Sequence, residues 1–396
     1  MTKCNGHINQ EFKGIERVFL ENFFRYGEIG ASFCVYHKHQ LVVDIWGGYK
    51  NLKSRELWQR DTVVPIFSTT KAVASLCLAM LHSKGLFEYE DPVCNYWKEF
   101  SANGKAYITI AQLFGHRAGL SAINTKLTKE IIDNPVLLDE LLANQKPYWP
   151  VNEYQGYHVW TIGWYLSALI SRIDTKHRRL RDFFEEEVLP KIDGEIRIGI
   201  NDDYDLKKIA ILKPFSKRKG LFSMPFKFVK EFFNPWSITY RSMLNPSFLS
   251  NHTNMNQREL LQLEIGGAGG IANAKGLASF MDCLTNPKSE LYLGKPTLEI
   301  LYRFPEPPIK GFEDYIFKQD AFIFSCGLVK PSKHHAFAPN KKSFGGFGAG
   351  GSFVSVDPEN ELIIAYTMNK MSPQIMNMDR EVRLRKAVYK IINSDV

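Results

Sequence analysis

The stretch at residues 66–85 restricts what this chain can fold into more than any other part of the sequence. It reads Ile-Phe-Ser-Thr-Thr-Lys-Ala-Val-Ala-Ser-Leu-Cys-Leu-Ala-Met-Leu-His-Ser-Lys-Gly, with apolar residues recurring at a period near 3.6. Pro65 suits a loop before a helix, and Gly85 supplies the usual left-handed stop after one. We therefore predict a buried helix that begins at about Ser68. Its apolar side carries Ala72, Leu76, Ala79 and Met80.

The first turn of this helix carries two side chains with reactive potential. Ser68 and Lys71 lie three residues apart, so they share a face, and the helix dipole adds positive potential there. A lysine amine can activate a serine hydroxyl once burial and nearby positive charge lower its pKa. A serine N-cap beside a solvated lysine has the same spacing. A second pair, Ser216 and Lys219, lies in a polar basic run without an apolar helix behind it, so the context favours Ser68.

Length and composition are those of a folded protein with a large core. The 396 residues suffice for one large domain or two ordinary ones. No window approaches 18 consecutive apolar residues, and the N-terminus has no apolar signal region. The six cysteines are scattered, without a C-x-x-C pair. We expect an intracellular, cytoplasmic protein with reduced thiols and no spanning helix.

Strand patterns lie towards both ends of the chain. Residues 8–28 read as an amphipathic helix, and the β-branched or aromatic runs at 31–36 and 40–46 predict a hairpin that ends at Gly47 and Gly48. Near the other end, a glycine-rich strand region at 344–358 and a strand at 361–366 precede a charged helix from Arg380 to about Ile392. Because the middle of the chain is helical, we expect one antiparallel sheet assembled from both termini and flanked by helices.

Two segments that suggest cofactors or metals lack essential parts of such sites. Residues 264–281 lead a glycine-rich loop into a helix, but they lack the strand and acidic residue of a dinucleotide fingerprint and the G-K-[ST] of a phosphate loop. His37 and His39 lie in a turn without a neighbouring carboxylate or cysteine. We therefore expect neither cofactor nor metal, and we attribute the glycines to tight packing.

The segment 206–230 shows the sharpest shift in composition. It has eight basic side chains and no acidic one, with phenylalanines between them, in a chain of net charge +8. We interpret it as an insertion outside the core. Basic side chains interleaved with phenylalanines suit peripheral membrane or lipid contact, and a solvated flap is the alternative. No nucleic-acid partner is expected, since no nucleic-acid-binding fold signature accompanies the charge. The sequence leaves an oligomer open.

Two further segments carry candidate site residues. Tyr157 lies just before a long apolar helical pattern, and a tyrosine next to a lysine can titrate low enough to act as a base. An ordinary aromatic core residue is the alternative. His116 and Arg117 follow a short predicted helix, where they either bind substrate or support the floor of a site.

Taken together, these segments resemble the serine β-lactamase and penicillin-binding-protein-like hydrolases, in particular the class C-like esterases and the animal β-lactamase-like proteins. Ser68-Thr-Thr-Lys71 is similar to the family's S-x-x-K, Tyr157-His-Val159 to its tyrosine motif, and Gly348-Ala-Gly-Gly-Ser352 to its glycine-rich third motif. The resemblance implies a β-lactamase/transpeptidase-like fold in one catalytic unit spanning 1–396. The sheet subdomain would comprise about 1–60 and 290–396, and a helical lobe about 61–289 with a basic insertion at about 206–250.

The resemblance also implies roles for individual residues. Ser68 would form an acyl-enzyme, Lys71 and Tyr157 would share its proton, and Tyr157 would activate the water that releases the acyl group. The oxyanion would lie between the backbone amides of Ser68 and Ala349, a natural geometry for a helix start beside a strand edge. Four further residues are expected to bind substrate. They are His158, Gly346, Phe347 and Gly348.

The third motif departs from the family at one position. Relatives usually begin it with Lys or His, whereas this chain has Gly346 followed by Phe347. A glycine cannot bind a substrate carboxylate, so uncharged esters or lipids are favoured over β-lactams. We therefore expect a serine hydrolase of a small ester or amide. Acyl transfer to an alcohol is one alternative, and a non-catalytic scaffold or filament-forming protein is another.

Overall fold

A large antiparallel sheet built from both ends of the chain organises the fold. The computed structural model describes residues 2–215, 224–320, 322–374 and 378–393. The strands are β1 (Cys4–Ile8), β2 (Gly30–His37), β3 (Gln40–Asn51), β4 (Glu56–Leu57), β5 (Val64–Pro65), β6 (Ile196–Ile198), β7 (Gly270–Ala272), β8 (Ile323–Ser325), β9 (Leu328–Lys330), β10 (Phe344–Phe347), β11 (Phe353–Asp357) and β12 (Leu362–Met368). Nine of them form the sheet β1-β3-β2-β12-β11-β10-β9-β8, with β4 on β3, and β5-β7-β6 form a small second sheet.

Helices cover the sheet and fill the middle of the chain. The α-helices are α1 (Gly14–Arg25), α2 (Thr69–Ser83), α3 (Ile110–Phe114), α4 (Lys129–Ile132), α5 (Pro135–Asn144), α6 (Thr161–Ile173), α7 (Leu180–Glu187), α8 (Phe226–Phe232), α9 (Ile238–Leu244), α10 (Arg258–Leu261), α11 (Ala274–Thr285), α12 (Gly294–Tyr302) and α13 (Asp379–Ile392). Short 3₁₀ helices span Gln10–Phe12, Val93–Asn95, Lys98–Gly104, Leu189–Lys191, Leu206–Lys208, Ser247–Leu249 and His252–Asn256. The predicted fold class, an antiparallel sheet with flanking helices and a helical lobe, is confirmed.

Each face of the sheet buries a different set of helices. Side chains of a strand alternate between its two faces. Phe33 and Val35 of β2 join a core cluster with α1 and α13, which come from the two ends of the chain. Cys34, between them in sequence, joins the other cluster, which contains α2, α6 and α11. The sheet is therefore covered on both faces by apolar layers.

The N-terminal elements agree with the sequence pattern except at two points. The helical pattern at 8–28 is divided into a 3₁₀ turn and α1. The hairpin forms, but β3 runs on through Gly47 and Gly48, so the prediction that these glycines end the strand is wrong. A Cβ on Gly47 would lie 2.5 Å from the carbonyl oxygen of Lys3, and one on Gly48 would overlap the carbonyl of Ile29. The glycines permit neighbouring backbone to approach closely.

The helix predicted at Ser68 lies at the centre of the molecule. Ser68 is its N-cap residue, and α2 is buried from Thr69 to His82. It packs against α6, α7 and α12 of the helical region and against β9 and β10 of the sheet. A helix enclosed on all sides has to be apolar all round. Ser68, half-buried at its first turn, is therefore held between the sheet and the helical lobe.

The interpretation of 206–230 as an insertion outside the core is wrong for its first part. The Val63 amide donates to the Lys208 carbonyl (3.0 Å), and the Ala210 amide donates to the Val63 carbonyl (2.8 Å). Ile209, Ala210 and Leu212 are buried in the main core. Basic side chains flank these core residues in the sequence. The composition of the segment therefore cannot distinguish it from a solvated flap. Residues 216–223, which include Ser216 and Lys219, lie outside the described residues.

Within the described ranges, no helix has the length and apolar content that crossing a membrane requires.

Candidate active site

Three residues from two distant segments meet at the start of α2. The Lys71 Nζ lies 3.1 Å from the Ser68 Oγ and 4.8 Å from the centroid of the Tyr157 ring. The Tyr157 phenol is hydrogen-bonded to Ser68. Phe67, immediately before the serine, has a φ of +46°, and its ring packs against His252 with centroids 5.2 Å apart. The fold thus brings the predicted serine, lysine and tyrosine into one cluster.

Lys71 is buried among uncharged groups. Its side chain is 4% exposed, and its Nζ donates to the Val159 carbonyl (2.8 Å) and the Gly267 carbonyl (2.6 Å). Burial lowers the pKa of Lys71 well below its usual value because a low-dielectric site penalises the ammonium form. A neutral amine has two N–H groups and one lone pair. With both N–H groups bonded to carbonyls, the lone pair is free to face the Ser68 hydroxyl.

Tyr157 is held by rings on several sides. Its centroid lies 5.4 Å from that of His116 and 5.5 Å from that of Phe324, with nearly parallel planes in both pairs. Burial raises the pKa of Tyr157 above its usual value. The expectation that a neighbouring lysine makes this tyrosine titrate low is therefore wrong. Burial disfavours the charged forms of both residues, the phenolate of Tyr157 and the ammonium of Lys71.

His158 supports the site from behind, so the prediction that it binds substrate is wrong. Its side chain is fully buried, and it does not belong to the described lining of the cleft. Its amide donates to the His116 Nδ1 (3.0 Å), and its own Nδ1 lies 3.0 Å from the Thr161 Oγ1. Burial lowers the pKa of His158 to about 3, so the imidazole is neutral. For His116, the supporting role is the one that the structure favours.

Asp314 is a site residue that the sequence did not reveal. Its carboxylate is fully buried, and its Oδ2 accepts the Tyr157 backbone N–H at 2.9 Å. Its Oδ1 accepts the amides of Ile316 and Phe317, both at 2.9 Å. Burial raises the pKa of Asp314 to about 6 against the effect of these bonds. The residue ties the loop before β8 to Tyr157, a long-range link for which an aperiodic loop sequence offers no signal.

The third motif is clamped against the start of α2. The Ser352 hydroxyl donates to the Ile66 carbonyl (2.7 Å) and lies 2.9 Å from the Thr69 Oγ1. A Cβ on Gly348 would overlap that same Ile66 carbonyl, so only glycine allows the approach. Gly348 therefore serves close packing and is not part of the described cleft lining, contrary to its predicted substrate contact.

The two amides predicted to hold an oxyanion remain available as donors. Ser68 and Ala349 are both half-buried, whereas the residues on either side of them are buried. In the described part of the chain, neither backbone N–H has a hydrogen-bond partner. Both amides thus meet one requirement of an oxyanion site, a free N–H donor, and their convergence on one oxygen stays a prediction.

The cleft at Ser68 is narrow, with a cavity volume of about 10 Å³, and its walls are mostly apolar. Its lining comprises Ser68, Lys71, Ala72, Tyr157, Phe322, Phe324, Gly327, Val329, Gly345, Gly346 and Phe347. The sequence did not predict that the segment from Phe322 to Val329 lines the cleft. Its aromatic and β-branched residues are typical of strands, and it forms β8 and most of β9. The Phe347 ring packs against Phe337 (5.2 Å) and Phe353 (5.0 Å), and because Phe347 also lines the cleft, its substrate contact stays a prediction.

A larger groove of about 790 Å³ lies beside α5 and α6 and contains none of the predicted residues. Its arginines, Arg172 and Arg179, both pair with Asp139. Both arginines of this groove are therefore paired, and its described lining contains no serine–lysine pair.

Known proteins resemble this chain over nearly its whole length. Residues 12–387 match the family model described as Beta-lactamase. The chain is 27% identical over 394 residues to the esterase/beta-lactamase LipL of Mycobacterium tuberculosis, covering 94% of this chain and 84% of that protein. A family VIII carboxylesterase structure superposes with a TM-score of 0.84 at 26% identity, covering 98% of this chain and 100% of the other. A penicillin-binding protein homologue from Caulobacter crescentus gives 0.83 at 26% identity, with the same coverage.

Proposed function

The chain belongs to the beta-lactamase family, and on this premise we propose that it is a serine hydrolase that cleaves small uncharged esters through an acyl-enzyme. The observation that carries the proposal is the position of Lys71: its Nζ contacts the Ser68 Oγ while two carbonyls take its N–H groups. The carboxylesterase and the esterase/beta-lactamase LipL are, by their names, hydrolases of esters.

Acylation begins with proton transfer from Ser68 to Lys71. The Ser68 Oγ attacks the ester carbonyl carbon as its proton moves to the Lys71 lone pair. The carbonyl oxygen becomes an oxyanion, which accepts hydrogen bonds from the amides of Ser68 and Ala349. When the carbon–oxygen bond to the alcohol breaks, the leaving oxygen takes a proton from the Tyr157 phenol, which regains one from Lys71.

Deacylation runs through the same groups in reverse. A water molecule takes the place of the alcohol and gives its proton to the Tyr157 and Lys71 pair as it attacks the acyl carbon. A second oxyanion forms at the same two amides and collapses by breaking the bond to the Ser68 Oγ. The serine then regains its proton, and the carboxylic acid leaves. Transfer to an alcohol would follow the same path with the alcohol in place of the water.

The cleft favours an apolar, uncharged substrate. Phe322, Phe324 and Val329 line it, and Gly346 leaves no cation for a substrate carboxylate. Discrimination of this kind is large when the alternative substrate would bury an unpaired charge. A scaffold role explains less, because it does not require a serine hydroxyl in contact with the Lys71 Nζ.

Other properties belong to the same proposal. We infer one catalytic unit over the whole chain, with the sheet subdomain and helical lobe divided as the resemblance implies. Its partner is a small ester or amide, and neither nucleic acid nor a cofactor takes part.

Labelling with a fluorophosphonate probe tests the proposal. The wild type should label at one site per chain, and Ser68→Ala should not label at all. Its melting temperature should stay nearly unchanged, because the Ser68 side chain makes no capping bond to α2. Ser75→Ala, the same substitution at a buried serine of the same helix, is the matched control and should label like the wild type. Labelling of Ser68→Ala at full stoichiometry would overturn the proposal.

A further inference from the structure

Three large aromatic side chains are exposed close together in sequence. Phe226 is 83% exposed, Phe233 64% and Trp236 83%. Phe226 and Phe233 are seven residues apart, so they share one face of α8 and its end. We call these three residues the aromatic patch. Exposed single apolar residues are ordinary, but a group of large rings on one short element marks a contact surface.

The aromatic patch packs on buried aromatic rings. The inner face of α8 carries Phe228 and Phe232, whose rings stack with centroids 5.8 Å apart. Phe228 is buried and also stacks on Phe317 at 5.8 Å, and Phe317 lies 5.4 Å from Tyr157. Two buried rings thus separate the exposed face of α8 from the ring of the proposed catalytic tyrosine. The patch therefore lies beside the wall of the active site.

Positive charge accompanies the patch. Lys227 and Lys230 are exposed on α8 between the exposed phenylalanines. The acidic residue of the helix, Glu231, is half-buried and interacts with Lys318; burial lowers the pKa of Lys318, and this carboxylate opposes that effect. The exposed side of α8 therefore combines aromatic rings with uncompensated lysines, in a chain of net charge +8.

We propose that the aromatic patch, with Lys227 and Lys230, docks this protein on an anionic lipid surface. Aromatic rings favour the boundary between headgroups and acyl chains, and lysines beside them attract anionic headgroups. A second copy of the chain fits less well. A two-fold symmetric contact would place the same patch on both sides and bring the lysines of the two copies together. The first part of the 206–230 segment is core, so the lipid contact expected there belongs instead to 226–236.

Vesicle binding of the Ser68→Ala protein tests the proposal, because this variant cannot hydrolyse lipid by the proposed mechanism. We expect co-sedimentation with phosphatidylcholine vesicles containing about one-third phosphatidylserine, weakening at high salt. Binding to pure phosphatidylcholine vesicles should be roughly tenfold weaker or less. Of the seven tryptophans, only Trp236 is exposed. Acrylamide quenching of its fluorescence should therefore fall on the anionic vesicles.

Matched variants distinguish binding through the aromatic patch from nonspecific adsorption to vesicles. Phe226→Ser with Trp236→Ser, and separately Lys227→Glu with Lys230→Glu, should each weaken binding roughly tenfold or more. The control variants carry comparable changes at other exposed positions. They are Phe24→Ser with Tyr107→Ser, at residues 62% and 67% exposed, and Lys98→Glu with Lys295→Glu, at exposed lysines.

Three outcomes would overturn the proposal: no binding to anionic vesicles, equal losses in the control variants, or a dimer in solution that only the Phe226→Ser and Trp236→Ser variant abolishes. The last outcome would make the patch an interface between copies. None of these outcomes bears on the labelling of Ser68, so failure here is distinguishable from failure of the proposed chemistry.

Discussion

A Cβ on Gly346 would lie 2.6 Å from the Cβ of Ala72, far inside the contact distance of two carbon atoms. Strand β10 therefore runs against α2 with no space for a side chain between them. The glycine is a consequence of this approach, and so is the missing cation at the position where the resemblance places Lys or His. A lysine introduced at position 346 would therefore need space between β10 and α2 in addition to its charge.

Substrate preference should accordingly depend on Gly346 and Ala72 together. The wild type should turn over a p-nitrophenyl ester in preference to nitrocefin, a carboxylate-bearing β-lactam. Gly346→Lys alone should destabilise the protein by about 1–3 kcal/mol through overpacking and leave that preference unchanged. Adding Ala72→Gly should relieve the clash and raise the nitrocefin-to-ester ratio of kcat/KM roughly 10- to 100-fold, the worth of a hydrogen bond to a charged group. Ala72→Gly alone is the control. An unchanged ratio in the double variant would contradict the argument.

Lys71 and Tyr157 should behave as one proton-transfer unit. Both contact Ser68, so removing either breaks the same proton path. Lys71→Ala and Tyr157→Phe should each lower kcat by about 10²–10⁴, and the double variant should lose little more than the worse single one. Tyr89→Phe is the control, since its buried hydroxyl has no partner among the described residues. Additive losses in ln kcat would show that the two residues are not coupled.

The lowered pKa of Lys71 should give the protein a specific dependence of stability on pH. Its folded-state pKa is depressed by burial, whereas in the unfolded chain it is about 10.4. Between these pKa values only the unfolded chain binds the proton, so raising the pH increases the free energy of unfolding by up to about 1.4 kcal/mol per pH unit. Lys71→Met lacks this contribution.

Urea unfolding between about pH 7 and pH 9.5 measures the effect. The difference in unfolding free energy between the wild type and Lys71→Met should move in favour of the wild type as the pH rises across this range, by at most about 1.4 kcal/mol per pH unit. Lys98→Met, at an exposed lysine, should run parallel to the wild type. A Lys71→Met curve that also runs parallel would mean that Lys71 is charged in the folded protein.

Asp314 should position Tyr157 without touching the substrate. In Asp314→Asn the amide oxygen can keep the bonds of Oδ1 to Ile316 and Phe317, but the NH₂ group then faces the Tyr157 N–H, and that link breaks. We expect kcat to fall roughly 10- to 100-fold with KM less affected, since small misplacements of catalytic groups have effects of this size.

The pH profile gives a second readout for Asp314. Its pKa of about 6 means that activity supported by the carboxylate should be lost as the pH falls through that value, because the protonated form no longer accepts the Tyr157 N–H in the same way. Asp314→Asn should lack this step. Asp357→Asn, at a buried carboxylate that bonds Asn340 and Tyr389, is the matched control and should keep it. Equal kcat values in Asp314→Asn and Asp357→Asn would show that Asp314 does not position Tyr157.

Much of the site could be predicted because its parts are local patterns. The 3.6-residue period predicts α2, and the spacing of Ser68 and Lys71 places both at its first turn. Alternating and β-branched runs predict the hairpin and the C-terminal strands, and their order along the chain predicts a sheet built from both termini. Tyr157 and the third motif needed the resemblance, because neither has a periodicity that indicates its role.

What the sequence by itself determined, therefore, is where helices and strands form and which reactive side chains begin them, since these depend on neighbours a few residues apart. Only the tertiary structure decided the chemical state of those side chains. The pKa of Lys71 is lowered because packing buries its amine away from water, against carbonyls of Val159 and Gly267 from two remote segments. Asp314 holds Tyr157, and Ala72 excludes a side chain at Gly346, through contacts between segments that are far apart in the chain. Burial and close approach arise from long-range packing, and a local pattern carries no information about them.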